Sequence, residues 1–222
     1  ELIDSGVLKP VERENTDLNE VGLDQSELGG AKARFKSNIE AIETMKKLYR
    51  ENRDATPEER KILAKYVGWG GLAKAFDSLD ENWQNEYAQL KGLLTEEEYT
   101  AAKGSVLNAH YTSKEVIEGM YSALQRFGVG ANNRILEPAL GTGNFFGYMP
   151  KEISENARLF GVELDTLTGK IASKLYPNAN VQIKGYEQTS FTNDSFDVVV
   201  TNVPFGAYSV YDSEYAKHNF YI

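Results

Sequence analysis

The 222-residue chain contains no cysteine. That absence removes disulfides, thiolate metal sites and cysteine nucleophiles. Histidine is nearly as scarce. His110 and His218 are the whole supply, too few for a histidine-rich metal site, and no metal is expected. No apolar run approaches the roughly 20 residues that a membrane-spanning helix needs, so no membrane partner is expected. The opening ELIDSGVLKP has no basic segment leading into an apolar one, so a secretory signal is not expected. It also lacks an initiator Met, so a longer parent protein is expected. Positive charge is short as well: 24 Lys and Arg face 33 Asp and Glu, a net charge of −9. A strong grip on nucleic acid needs clustered cations to neutralise phosphates, so this chain alone should not provide one. The lack of cysteine fits a reducing, cytoplasmic setting.

Hydrophobic residues make up 41% of the chain, enough for a core, and the length suits one ordinary domain with an appendage or two small ones. Residues 1–27 are polar, acidic and without periodicity, and read as a flexible lead-in. From Ala31 the pattern turns helical: Phe35, Ile39, Ile42, Met45 and Leu48 recur at helical spacing. Thr56-Pro57-Glu58-Glu59 is a helix start that places Pro at the first helical position. The following helix ends at Gly68-Trp69-Gly70-Gly71. Two shorter helices follow, over Trp83 to Leu90 and Thr95 to Lys103, the second with a capping box between Thr95 and Glu98. Residues 28–107 thus read as a helical subdomain. A second capping box, Thr112-Ser113-Lys114-Glu115, opens another helix, with Val116, Met120, Leu124 and Phe127 as its expected apolar face. Beyond Arg134, short apolar runs alternate with helical stretches: Ile135-Leu136, Leu159 to Val162, Val181 to Ile183, and Phe196 to Val200. That alternation predicts a parallel sheet with helices on its faces.

Three sites on this frame carry chemistry. Leu136-Glu137-Pro138-Ala139-Leu140-Gly141-Thr142-Gly143-Asn144 follows a strand and precedes a helix. A nucleotide-like ligand lying against backbone there calls for residues without a Cβ, hence Gly141 and Gly143. Glu163 stands about twenty residues further on, at the end of the next strand, where a carboxylate can accept both ribose hydroxyls of an adenosine. Thr201-Asn202-Val203-Pro204-Phe205 follows the fourth strand on the same rim. The Asn202 side-chain oxygen and the Val203 carbonyl can each accept one N–H of an exocyclic amino group, and Phe205 can stack on the base.

Together these residues resemble the adenine-N6 class of S-adenosylmethionine-dependent DNA methyltransferases. The glycine segment is similar to the family's Asp-Pro-Ala-Cys-Gly-Thr-Gly, with Glu137 for Asp, Pro138 retained and Leu140 for Cys. Asn202 to Phe205 is similar to its Asn-Pro-Pro-Phe loop, with Val203 for the first Pro and Pro204 for the second. Asn108-Ala109-His110-Tyr111-Thr112-Ser113 resembles the segment preceding the cofactor loop, which implies that Tyr111 and Thr112 hold the methionine part of the cofactor. The family's acid that meets the cofactor adenine amine is best matched by Glu187, with Asp194 as the fallback. Tyr66-Val67-Gly68-Trp69-Gly70-Gly71-Leu72 resembles large methylases of phages and conjugative elements, which often carry a helicase region downstream.

The resemblance implies a Rossmann-like α/β methyltransferase sandwich. Its partial sheet and cofactor-binding domain span residues 108–222, cut short on the C-terminal side, after the N-terminal helical subdomain. It implies S-adenosylmethionine as cofactor and methylation of adenine N6 in DNA, as in restriction-modification. It implies a DNA partner gripped mainly by regions outside this chain. Two other readings share the motifs: a protein-glutamine N5 methyltransferase, and a non-catalytic docking module of a larger DNA-processing protein. Cytosine-C5 chemistry is excluded for want of a thiolate, and cytosine-N4 enzymes usually carry Ser where Asn202 stands. Trp69 reads as a packing residue that pins the helical block to the methyltransferase core rather than as a base-stacking one. His110 is not needed as a base. Tyr208, Tyr211, Tyr215 and Tyr221 suit either a base pocket or ordinary loop packing.

Overall fold

A computed structural model describes residues 14–22, 28–106 and 112–203. The first long element forms as its spacing predicts: helix α2, Ala31–Glu51, buries Phe35, Ile39, Ile42, Met45 and Leu48. Helix α3, Pro57–Leu63, opens on a complete capping box, in which Thr56 Oγ1 accepts from Glu59 N and the Glu59 carboxylate accepts from Thr56 N. Helices α4, Gln84–Leu93, and α5, Glu96–Ser105, follow, and Thr95 and Glu98 close a second box at the start of α5. The boxes satisfy backbone donors that an open helix end leaves unpaired.

Between α3 and α4 the glycine-rich loop folds over α2. Buried Asn38 holds it there: its Nδ2 donates to Gly68 O at 2.5 Å, and its Oδ1 accepts from Val67 N at 2.9 Å. Trp69 is buried among the rings of Phe35, Tyr66 and Phe76, at centroid distances of 6.3, 6.4 and 5.3 Å. It therefore packs within the helical block, where pinning of the block to the methyltransferase core was expected, and offers no face to a base.

Helix α6, Lys114–Arg126, departs from expectation in two ways. Its N-cap is Ser113, which makes no side-chain cap bond, so the expected box at Thr112-Glu115 does not form. Its inward residues are Ile117 and Tyr121, while Val116 is exposed and Phe127 is 85% exposed. Met120 and Leu124, of the expected face, pack partly buried against the core.

Four parallel strands follow: β1, Arg134–Glu137; β2, Arg158–Glu163; β3, Asn180–Ile183; and β4, Val198–Val199. Their order in the sheet is β3-β2-β1-β4, paired in register Ile135↔Leu159, Ile135↔Val198 and Gly161↔Val181. Short helices α7, Asn144–Gly147, and α8, Lys151–Ser154, connect β1 to β2, and α9, Thr166–Leu175, connects β2 to β3. The expected mixed α/β fold with a parallel sheet and an N-terminal helical part is what forms. Helices α2 and α3 pack on α9, and Lys174 Nζ reaches across to donate to Arg53 O at 2.7 Å. The buried residues of both parts form one continuous core.

Residues 14–22 differ from the flexible lead-in expected of them. Thr16 donates to Leu175 O from both its N and its Oγ1, each at 2.8 Å. Helix α1, Leu18–Val21, buries Leu18, and Arg60 of α3 donates to Glu14 O at 3.0 Å. The segment is a strap fastened to both parts of the molecule. Its acidic, polar composition concealed this, because one buried Leu gives no periodicity.

Candidate active site

In a parallel sheet all carboxyl ends lie on one rim. Here that rim collects the turn after β1, Glu163 at the end of β2, Tyr186 and Glu187 after β3, and Thr201 to Val203 after β4. Gly141 and Gly143 occupy the left-handed region, with φ of +55° and +79°, which lets the chain reverse between β1 and α7 without strain. Leu140 N donates to Val162 O at 2.8 Å and Gly141 N to Glu163 Oε2 at 2.7 Å, so β2 holds one side of the turn. Asp165 N donates to the other Glu163 oxygen at 2.8 Å. Each carboxylate oxygen retains a lone pair for a ligand. Burial pushes the Glu163 carboxyl up to about 7, against the opposing pull of the Asp165 and Gly141 amides.

Glu137 is 3% exposed, and its Oε2 has no hydrogen-bond partner among the described residues. Burial first, then the neighbouring Glu163 charge, holds its carboxyl well above the usual carboxylate range. A buried acceptor left unpaired is costly unless something completes it. An orphaned carboxyl oxygen beside Glu163 suits a ligand that brings ribose hydroxyls and a cationic group, whose charge favours the ionised form, and S-adenosylmethionine brings both. Thr142 Oγ1 donates to Asn144 Oδ1 at 3.1 Å, and Asn144 Nδ2 donates to Thr112 O at 3.4 Å. Thr112 is thereby joined to the turn through its backbone carbonyl.

Asn202 lies half-buried on the rim beyond β4, and Val203 is exposed. Beside them, Thr201 Oγ1 is buried without a partner among the described residues. Tyr111, Pro204 and Phe205 lie outside the described residues, as do His110, Tyr208, Tyr211, Tyr215, Tyr221 and His218. Glu187 is exposed on the 3-10 helix Tyr186–Gln188, directly beyond β3 on the same rim. Asp194 is not on that rim. It precedes β4, near Asp197, whose carboxylate accepts from Arg134 N at the start of β1 at 2.7 Å; the fallback acid therefore sits at the opposite end of the sheet.

Other residues at the site gave no signal in the sequence. Leu164, 74% exposed, and Tyr186 are exposed apolar groups at the ends of β2 and β3. Tyr176 is fully buried, and its ring occupies the space that a Cβ on Gly143 would need. The bare Cα of Gly143 thus answers a protein ring, where the sequence pointed to a ligand. Nothing local to Tyr176 marks it, since it follows α9 as an ordinary helix-end residue.

The family model for N-6 DNA Methylase matches residues 93–222. The chain is 31% identical over 175 residues to the Defense against restriction protein B of Escherichia phage P1, covering 78% of this chain and 6% of that protein. It is 32% identical over 124 residues to the Modification methylase CviBIII of Paramecium bursaria Chlorella virus NC1A, covering 56% of this chain and 32% of that one. It therefore spans a minor part of both relatives. The methyltransferase subunit of a type I restriction-modification system from Streptococcus thermophilus is similar in structure, with a TM-score of 0.32 and 10% identity over 91% of this chain and 65% of that one. With its family model spanning more than half of it, the chain belongs to the N-6 DNA Methylase family.

Proposed function

We propose that this chain is the S-adenosylmethionine-binding and catalytic part of a protein that methylates the N6 amino group of adenine in DNA. The observation that carries the reading is the gathering of Glu137, the glycine turn, Glu163 and Asn202 on one rim of a parallel sheet. S-adenosylmethionine, when bound, supplies an electrophilic methyl group on a sulfonium. Glu163 accepts the ribose hydroxyls, the open oxygen of Glu137 meets the cationic end, and Pro138, Gly141 and Gly143 shape the turn that receives the cofactor. Tyr111 and Thr112 hold its methionine part, and Glu187 its adenine amine. Asn202 Oδ1 and the Val203 carbonyl accept the two amino hydrogens of the target adenine. That draws the nitrogen lone pair out of conjugation with the ring. Pro204 fixes the loop, and Phe205 stacks on the base once it is turned out of the duplex.

Within this reading residues 28–107 form a helical subdomain and 108–222 the cofactor domain. The DNA is gripped mainly by regions outside this chain, among them a downstream helicase region. No helix among the described residues is long and apolar enough to cross a membrane, consistent with a soluble, cytoplasmic enzyme. No observation favours the glutamine-methylating or docking-module alternatives. The test is a calorimetric titration of the intact protein with S-adenosylmethionine, paired with transfer of labelled methyl to adenine-containing duplex and to a glutamine peptide. Binding and transfer to adenine are expected; transfer to the peptide alone would replace the substrate, and no binding would remove the reading.

A further inference from the structure

We infer that Tyr176, backed by the N-terminal strap through Leu18, is a positioning residue for the cofactor turn. The inference rests on the function proposed above and extends it to residues outside every motif. Glu163 and Val162 hold only the β2 side of the turn. The segment from Gly143 to Gly147 is held by Tyr176 and Leu18. A Cβ on Gly143 would collide with the Tyr176 ring, and a Cβ on Gly147 would lie 2.6 Å from the Tyr176 hydroxyl and collide with Leu18. The Tyr176 ring stands perpendicular to that of Phe146 at 5.7 Å. Both glycines of α7 and its approach are therefore in direct backbone contact with these two side chains.

The two side chains are fastened to each other's elements. Leu175, the residue before Tyr176, accepts both bonds from Thr16. Asp17 Oδ1 accepts from Asn19 N at 2.8 Å and caps the helix that carries Leu18. Lys151 of α8 pairs with Glu20 at 2.6 Å and closes the strap on the far side of α7. Close-packed interiors transmit displacement rather than absorb it, so removing either side chain lets the Gly143 backbone relax. The Tyr176 hydroxyl has no partner among the described residues, so the ring does the positioning and a phenylalanine can replace it.

The experiment uses the intact protein with Tyr176→Leu, Leu18→Ala and Tyr176→Phe. It reads the Kd for S-adenosylmethionine, single-turnover methylation at saturating cofactor, and the thermal midpoint. Tyr176→Leu should raise Kd about tenfold and Leu18→Ala about threefold, with Tyr176→Phe within about twofold of the unaltered protein. The saturating rate should change little, because the Thr201–Val203 loop is untouched. A lowered thermal midpoint with unchanged Kd in the folded variants would overturn the inference and leave a structural role. If Tyr176→Leu does not fold, Leu18→Ala decides on the same criterion. Failure of the unaltered protein to bind the cofactor would overturn the proposed function and this inference together; binding that ignores the variants would overturn this inference alone.

Discussion

On the proposed reading Asn202 faces the methyl acceptor and Glu163 the methyl donor, and that division is measurable. Asn202→Ala should abolish methylation while leaving cofactor affinity nearly unchanged. Preorganised acceptors of this kind contribute about 2.7–4 kcal/mol to a barrier, so single-turnover transfer should fall roughly a hundredfold to a thousandfold; near-normal turnover would make the loop structural. Glu163 gives a pH signature. Its folded value, about 7, lies above the ordinary 4.5, so protonation favours the fold. That stability is fully present below about pH 4.5 and is lost as pH rises through about 7. Ribose hydroxyls donate better to the ionised form, so cofactor binding should tighten between about pH 6 and about pH 8. Glu163→Gln should flatten both trends, leaving whatever slope Glu137 sets, and should weaken binding about tenfold or more, since bonds to a charged group are worth roughly 1.5–3 kcal/mol. An unaltered pH profile in the variant would assign the titration elsewhere. Glu163 and Asn202 could be picked from the sequence because strand-end position and residue type coincide there. The orphaned oxygen of Glu137 could not, because it depends on how completely the core closes around it.

Among the elements, Asn38 offers the clearest stability test. Asn38→Ala leaves Val67 N and Gly68 O buried without their partner. The cost should be about 2–4 kcal/mol, read as a lower urea midpoint, with cofactor affinity retained in the folded protein. A loss below about 0.5 kcal/mol would mean that water or a shifted loop repairs both bonds. The core face of α2, the helix start at Thr56-Pro57 and the capping box at Thr95 were legible because period and cap are local properties. Helix α6 was not, because its apolar residues cover two adjacent stripes. Val116 and Ile117 differ by one position, about 100° of rotation, and only the docking of Tyr121, whose hydroxyl donates to Phe145 O at 2.9 Å, selects the second stripe. The strap was missed for the complementary reason: its hydrogen bonds are to a helix end about 160 residues away, which no window on the sequence contains.

The molecule as a whole carries nine excess negative charges. The 222-residue chain alone should therefore bind duplex DNA more weakly than about 10⁻⁴ M at physiological salt, with a shallow salt dependence, since few phosphates can be neutralised. Tight binding in a mobility-shift or anisotropy titration would show a DNA surface that the charge balance conceals. The strap bears on how such a chain is made. Thr16 and Leu175 are 159 residues apart, and a ribosome adding roughly 5–20 residues per second needs on the order of 10–30 s to cover that distance. Through that interval Leu18 has been synthesised but has nowhere to bury itself. A segment made about 160 residues before its partner is thus among the last to reach its native contacts. Stalled translation intermediates ending before Leu175 should consequently expose residues 14–22 to protease, and intermediates extended well beyond it, far enough to clear the exit tunnel, should protect them.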